Sequence, residues 1–255
     1  MIWDDFGCEI HINALREPMA PQFVGLECEI EAIRDHGNVA ENGWAVTTDG
    51  SLRNNGYEYI SAPVPVITAS SLFKDLHGSI SLGSQDPFSS RTSIHVHANC
   101  ANLSSKQVRD AIYLYALYEE AFFLMCSSER RDNIHCTPLT ETYLPSIYNQ
   151  SLMGMVNRWH KYTALNIKPL QKQGTIEFRH MQGHNDCVLL DEWLGIITNL
   201  IAVAKQVPLS GTDFLAEDKM RSNYIAIFGQ SRLGNHYETV RTMMNNQIID
   251  LKLAV

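Results

Sequence analysis

The sequence lacks several features that would place it in a class at once. Its six cysteines form no CxxC pair, which favours a reducing compartment. Its N-terminus has no charged segment followed by an apolar one, and no apolar run approaches the roughly 20 residues needed to span a bilayer. We therefore expect a soluble, cytoplasmic protein without a membrane partner.

Runs of basic residues are also absent. The net charge is −8, so composition gives no reason to expect general affinity for long nucleic acid. A local basic groove is still compatible with this composition, so a modified nucleotide or DNA stays open as a partner. The chain does have 255 residues with 45% hydrophobic content, enough for a substantial core. We favour one large domain over two small ones.

Apolar and polar residues alternate with period two in several segments, which predicts strands. These segments are 6–13, 23–31, 43–52, 56–64, 92–99, 162–170 and 174–181. The turn sequence QKQG suggests that 162–181 is a hairpin. Amphipathic segments from about Ser104 and about Asn185 predict two long helices, and the C-terminal segment is also predicted to be helical. The fold class is therefore α+β.

Acidic and basic side chains collect on one face of several of these strands. In VGLECEIE, Glu27, Glu29 and Glu31 lie opposite the apolar residues, because successive side chains of a strand point to opposite faces. An edge strand with a solvated polar side is the alternative for this segment alone. The same alternation places His95 and His97 on one face of TSIHVHAN, and Glu177 and Arg179 on one face of GTIEFRH.

Two further acids, Asp49 and Glu58, belong to neighbouring predicted segments. If all these faces met in one curved sheet, at least five carboxylates would share a small volume. Such a cluster cannot stay ionised without cations, because buried and unpaired charge is strongly unfavourable. The pattern therefore predicts divalent metal, and oxygen-rich ligation favours Mg²⁺ or Mn²⁺ over zinc.

In this order, the motifs resemble those of the amidoligases, in the superfamily of glutamine synthetase and glutamate-cysteine ligase (carboxylate-amine ligases). GLECE is similar to the first-strand G-x-E-x-E, DGSL and YEYISAP to the second acidic element, and IHVHAN to the H-x-H strand. LNI and TIEFRH are similar to the closing hairpin, and DEWLGII to the helix after it. The resemblance covers about 25–195 of a single domain 1–255, with 196–255 as a helical extension.

The resemblance implies a curved antiparallel sheet, open like half a barrel as in the catalytic domain of glutamine synthetase, with packed helices. ATP would enter at one end and the carboxylate at the other, with two or more Mg²⁺ or Mn²⁺ ions between them. The implied metal ligands are Glu27, Glu29, Glu58, His95 and Glu177. Asp49 would be a further ligand or a partner of one.

The resemblance also implies roles for the other polar residues. Arg179 would hold the transferring phosphoryl group or the substrate carboxylate, so Arg179, Glu177 and Asp49 form the implied catalytic set. His97 would lie towards the nucleotide. Arg158, Lys168 and Asn166 are further candidates for binding it.

The implied activity is ATP-dependent formation of an amide or isopeptide bond through an acyl phosphate. Amidoligases are associated with peptide tags, cell-wall or peptide modification, and phage-encoded modification of nucleobases. The carboxylate could accordingly be free glutamate, a peptide terminus or a modified nucleotide. The sequence indicates neither the substrate pair nor the oligomeric state.

Two alternatives compete with this interpretation. A cupin-type metalloprotein also carries H-x-H on a strand, but HVHANCANLS contains no acid after the second histidine. A non-catalytic module that binds nucleotide or metal would leave the acidic faces merely solvated. Tight binding of ATP that requires Mg²⁺ would argue against this second alternative.

Overall fold

The computed structural model describes residues 1–141, 150–206 and 208–254. The strands are β1 Phe23–Ile30, β2 Ile33–Asp35, β3 Trp44–Thr47, β4 Tyr57–Ser61, β5 Val64–Pro65, β6 Ser81–Leu82, β7 Ser93–Asn99, β8 Leu165–Asn166 and β9 Thr175–Gln182. The α-helices in these ranges are α1 Ile2–Asp5, α2 Val66–Ser79, α3 Ser105–Leu124, α4 Leu152–Arg158, α5 Cys187–Gln206, α6 Glu217–Phe228, α7 Tyr237–Met243 and α8 Asn245–Ala254. Short 3₁₀ helices connect some of them.

The main sheet is antiparallel and has the order β3-β4-β1-β7-β9-β8, with β5 added beside β1. The predicted α+β class is confirmed. Within the described ranges the sheet does not close, since β3 and β8 are its two edges. Half-barrel curvature stays a prediction. β1, β7 and β9 lie side by side, and β4 flanks β1, so the strands that carry the polar motifs are neighbours.

Helices cover the apolar face of the sheet. Phe178 of β9 packs against Phe122 of α3 and Trp193 of α5, with ring centroids 5.9 Å and 6.4 Å away. Ser104 caps the N-terminus of helix α3, and its hydroxyl accepts from the Gln107 backbone amide in a capping box. Because successive residues alternate faces, burying Phe178 on this side turns its neighbours Glu177 and Arg179 to the other side.

Three predictions about local structure were wrong or incomplete. Segment 6–13 is not a strand: it connects α1 to a 3₁₀ helix at Asn13–Arg16. Its apolar residues Cys8 and Ile10 are buried, yet its backbone shows no ladder with a strand. The strand predicted over 162–170 shortens to β8 because Pro169 lacks an N–H and lies in the 3₁₀ helix Lys168–Gln171. Helices α2 and α4 were not predicted.

The expectation about apolar runs also needs correction. Helix α5 is 20 residues long and apolar enough to cross a membrane by length and composition. However, 56% of its most apolar window is buried inside the protein, as in the core helix of a folded domain. Its packing against α3 and β7 explains its apolar composition without a bilayer.

Candidate functional site

The polar motifs meet on the uncovered face of the sheet. In the β1–β7 pair, Glu27 lies directly opposite His95, and in the β7–β9 pair His97 lies opposite Glu177. These four residues therefore form two cross-strand pairs side by side. Antiparallel register alone places their side chains within reach of one another.

The Glu27 carboxylate lies between the two histidines. Its Oε2 atom is 3.2 Å from Nδ1 of His95, and its Oε1 atom is 3.0 Å from Nε2 of His97. The second contact meets the distance of an ion pair but not the angle of a hydrogen bond, so Nε2 of His97 is buried without an aligned partner. The Nδ1 atom of His97 is bound to the Thr175 hydroxyl at 3.0 Å.

Glu177 is held by several neighbours. The Asn166 side-chain amide donates to its Oε2 atom at 2.7 Å, Arg179 forms an ion pair with Oε1, and Nδ1 of His95 is 3.4 Å from Oε1. Arg179 also donates from Nε to the carbonyl of His135 at 3.1 Å. The Glu177 side chain is 5% exposed, so its charge depends on these partners rather than on water.

A second group of acids lies towards β4. Glu29 of β1 is directly opposite Glu58 of β4, and Asp49 follows β3. The Ser93 hydroxyl donates to Glu29 Oε2 at 2.6 Å, and the Ser51 amide donates to Asp49 Oδ1 at 2.7 Å.

Three combinations of these side chains could each hold a metal ion. In each combination, one ligand atom from every residue lies within 4.8 Å of the others. The combinations are Glu27, Glu58 and His95; Glu27, His97 and Glu177; and Glu29, Asp49 and Glu58. Together they contain all five implied ligands, together with Asp49 and His97. Glu27 and Glu58 each belong to two combinations, which suits neighbouring ions that share ligands.

The acid–base properties fit divalent cations. Burial, reinforced by the charge of Glu27, raises the pKa of Glu58 to about 7. Burial also acts to raise the pKa of Glu27, but the hydrogen bond from His95, the close contact of His97 and the charge of both rings outweigh it and hold that pKa well below the usual range. A carboxyl with a raised pKa and an imidazole nitrogen without an aligned partner are both groups that a metal would satisfy.

Glu27 lines two cavities. The polar cavity, about 570 Å³, is lined by Glu27, Glu29, Asp49, Ser51, Glu58, Ser90, Arg91, Ser93, His95, Arg130, Asp132, Asn133, Ile134, His135, Lys161, Tyr162, Asn166 and Arg179. The apolar cavity, about 210 Å³, is lined by Leu15, Phe23, Val24, Gly25, Leu26, Glu27, Ile60, Ser61, Pro63, His97, Asn99, Gln173 and Thr175. His95 faces the first cavity and His97 the second.

Not every predicted residue reaches this site. Asn166 does, through Glu177, but Arg158 is exposed and lines neither cavity. The Lys168 ammonium instead donates to the carbonyls of Val156 and Asn157, near the end of α4. The resemblance implied both residues as candidates for binding the nucleotide, and the structure places neither in the lining of the two cavities.

Among the Lys, Arg, Asp and Glu residues that line the polar cavity, sequence patterns missed four: Arg91, Arg130, Asp132 and Lys161. All four lie outside the regular strands, so no alternation marks them. Arg130 is 3% exposed and donates to the backbone carbonyls of Arg179 and His180. A charged residue buried to that degree is unusual, but its burial cannot be read from the segment SSERRDN.

Comparison with known proteins adds an independent finding. The sequence model of the family described as "Putative amidoligase enzyme" matches residues 42–194. This range holds Asp49, Glu58, His95, His97, Glu177 and Arg179, and begins after β1. A search of curated proteins finds no significant match.

Proposed function

The chain belongs to the amidoligase family, and from this premise we propose that it is an ATP-dependent ligase that joins a carboxylate to an amine through an acyl phosphate. The observation that carries the proposal is the position of Glu27. It contacts both histidines of β7 and lines both cavities, so a group bound at Glu27 would adjoin a ligand in either cavity.

The two cavities suit different substrates. The apolar cavity offers aliphatic and aromatic walls together with the amide side chains of Asn99 and Gln173, a lining that suits a nucleobase. The polar cavity offers charged side chains of both signs, which suit the carboxylate and the amine. ATP would then direct its terminal phosphate past His97 and Glu27 towards the polar cavity.

Glu27, Glu29, Glu58, His95 and Glu177 would hold two or more Mg²⁺ or Mn²⁺ ions, with Asp49 beside them. Bound divalent cations would neutralise phosphate charge and align the phosphoryl group with the attacking oxygen. The protein's part in the first step is positioning. Arg179, fixed by Glu177 and the His135 carbonyl, presents a planar guanidinium to the phosphoryl oxygens.

In this first step a carboxylate oxygen attacks the γ-phosphorus, the bond to the bridging oxygen breaks, and ADP leaves. In the second step the amine attacks the acyl carbon and phosphate leaves with the bonding electrons. The amine must be neutral to attack, so a base has to take a proton from the ammonium. Among the lining residues described, Asp132 is an acid outside the three metal-sized groups, and we assign it this role.

Calorimetric titration and ADP release test the proposal together. ATP should bind with Mg²⁺ present and bind far more weakly with EDTA. ADP release should require both a carboxylate and an amine from a mixed metabolite pool. Failure to bind ATP with either Mg²⁺ or Mn²⁺ would overturn the proposal. Binding without ADP release in any mixture would favour the non-catalytic module.

A further inference from the structure

Two cations at the rim of the polar cavity have no acidic partner among the described residues. Arg91 and Lys161 are both exposed and both line the cavity. Arg179 is paired with Glu177, and Arg130 donates to buried backbone carbonyls, so part of each guanidinium is already bound within the protein. Arg91 and Lys161 are therefore available to a ligand.

Each of these cations is tethered to a residue that is itself bound to the site. Arg91 donates to the Ser51 carbonyl at 2.9 Å, and the Ser51 amide in turn binds Asp49. These two hydrogen bonds place the Arg91 guanidinium beside the acid cluster.

Lys161 is held near the site by contacts between side-chain rings. Its Nζ atom lies 4.6 Å from the centroid of the Tyr162 ring, and that ring meets His135 edge-on at 5.0 Å. The carbonyl of His135 accepts from Arg179. Both cations are thus connected to the residues that would handle the reacting carboxylate.

The charge of the residues that line the polar cavity also favours an anionic ligand. Five acids and four Lys or Arg residues line the polar cavity, so its formal charge is slightly negative before a metal binds. The two divalent cations proposed above make it net positive even when Glu177, the ion-pair partner of Arg179, is counted. A metal-loaded cavity of this kind favours a substrate with more than one negative group.

We propose that Arg91 and Lys161 bind a second anionic group of the carboxylate substrate, so that the substrate class is a dicarboxylic acid or a carboxylic acid bearing a phosphonate or phosphate. This inference rests on the proposed function, because the first carboxylate is taken to lie at Arg179. The second group would lie at the rim, and the chain between the two groups would cross the cavity.

Matched acids test the inference directly. Glutarate and pentanoate have the same carbon chain, but pentanoate has a methyl group in place of the second carboxylate; 4-phosphonobutyrate replaces that carboxylate with a phosphonate. Each would be titrated by calorimetry into protein holding Mg²⁺ and a non-hydrolysable ATP analogue. We expect one or both dianions to bind at least about tenfold more tightly than pentanoate, with the difference shrinking in high salt. The tighter dianion identifies the second group.

Substitutions test whether Arg91 and Lys161 cause the tighter binding of the dianions. Arg91→Gln and Lys161→Gln should each weaken dianion binding several-fold and leave pentanoate unchanged, whereas Lys219→Gln, which removes one exposed charge on α6, should change neither. If neither dianion binds better than pentanoate while the ATP analogue binds normally, the inference is wrong and the proposed function stands. Equal losses for both types of acid would also overturn it. If the analogue does not bind but the dianion preference persists, the proposed function fails and the selectivity survives.

Discussion

Glu27 Oε1 lies 3.0 Å from Nε2 of His97 although the two residues are not directly opposite in the sheet. Glu27 is paired with His95, and the residue opposite His97 is Gly25. Because Gly25 has no side chain, the His97 ring meets no cross-strand neighbour there and reaches Glu27 on the diagonal. One glycine thus brings both histidines to one carboxylate and leaves room for the apolar cavity.

The first prediction concerns metal and stability. Mg²⁺ or Mn²⁺ should raise the melting temperature, because a bound cation removes repulsion among the clustered carboxylates and stabilises the native state by mass action. The double variant Glu27→Gln/Glu29→Gln should lose most of that gain. Melting curves with EDTA and with metal measure it, and Glu9→Gln/Glu41→Gln, with two exposed acids changed, is the control. A full metal response in the first variant contradicts the assigned ligands.

The second prediction separates the two histidines. His97 lines the apolar cavity and His95 the polar one, and by strand rise their Cα atoms are about 7 Å apart. His97→Ala should therefore weaken ATP binding more than metal binding, and His95→Ala should do the reverse. Calorimetry with ATP and with Mn²⁺ alone provides both comparisons. Equal losses of both ligands in each variant would show that the histidines act as one unit.

How far the sequence predicts this site depends on where its residues lie. Glu27, His95 and Glu177 were identifiable because strand alternation fixes the face of every side chain once one apolar neighbour is buried. Arg130 and Lys161 were not, because loop residues have no such periodicity. Their positions depend on contacts with segments distant in sequence, or with rings such as Tyr162.

The fold shows the same limit. Helix α3 has a cap and an apolar period that can be read locally, whereas segment 6–13 has the alternation of a strand without a strand beside it. Alternation therefore predicts burial of Cys8 and Ile10 correctly, but pairing requires a partner that the segment itself does not specify. Metal ligation, likewise, is implied by the convergence of several strands and by no single one.

The third prediction uses the space at Gly25. A Cβ atom there would lie 3.7 Å from Cβ of His97, an ordinary contact, so Gly25→Ala should fold normally. Gly25→Leu should extend into the apolar cavity and weaken ATP binding at least about tenfold, because the added side chain takes space that a nucleobase needs. Calorimetry measures ATP affinity, and Mn²⁺ binding should be unchanged in both variants. Normal ATP binding by Gly25→Leu would place the nucleotide elsewhere.

The fourth prediction concerns pH. The folded-state pKa of Glu58 is about 7, above its ordinary value, so the native state holds a proton that the unfolded chain has released. Between the unfolded pKa and pH 7 the metal-free protein therefore loses stability at Glu58 as pH rises. Because Glu58 is only partly buried, the loss should be on the order of 1 kcal/mol.

Glu58→Gln should remove that component, so the difference in unfolding free energy between variant and wild type should grow in the variant's favour from pH 5 to pH 8. Urea unfolding in EDTA at several pH values measures it, and the comparison cancels the titration of other groups. A difference independent of pH would mean that Glu58 titrates normally.

The last prediction concerns Arg179. Its guanidinium forms an ion pair with Glu177 and donates from Nε to the His135 carbonyl, which fixes the plane of the group on the side of the polar cavity. Lysine keeps the charge but loses the planar fork that can contact two phosphoryl oxygens. Arg179→Lys should therefore preserve the fold and Mg²⁺ binding and lower turnover at least about a hundredfold, as when one preorganised donor is deleted. Substrate-dependent ADP release is the measurement, and Arg158→Lys, which changes an exposed arginine that lines neither cavity, is the matched control.

If the Arg179 variant kept most of its activity, Arg179 would serve only to hold Glu177 in place. The phosphoryl contact would then pass to Arg130, the buried arginine of the same cavity, and Arg130→Lys should show the hundredfold loss instead.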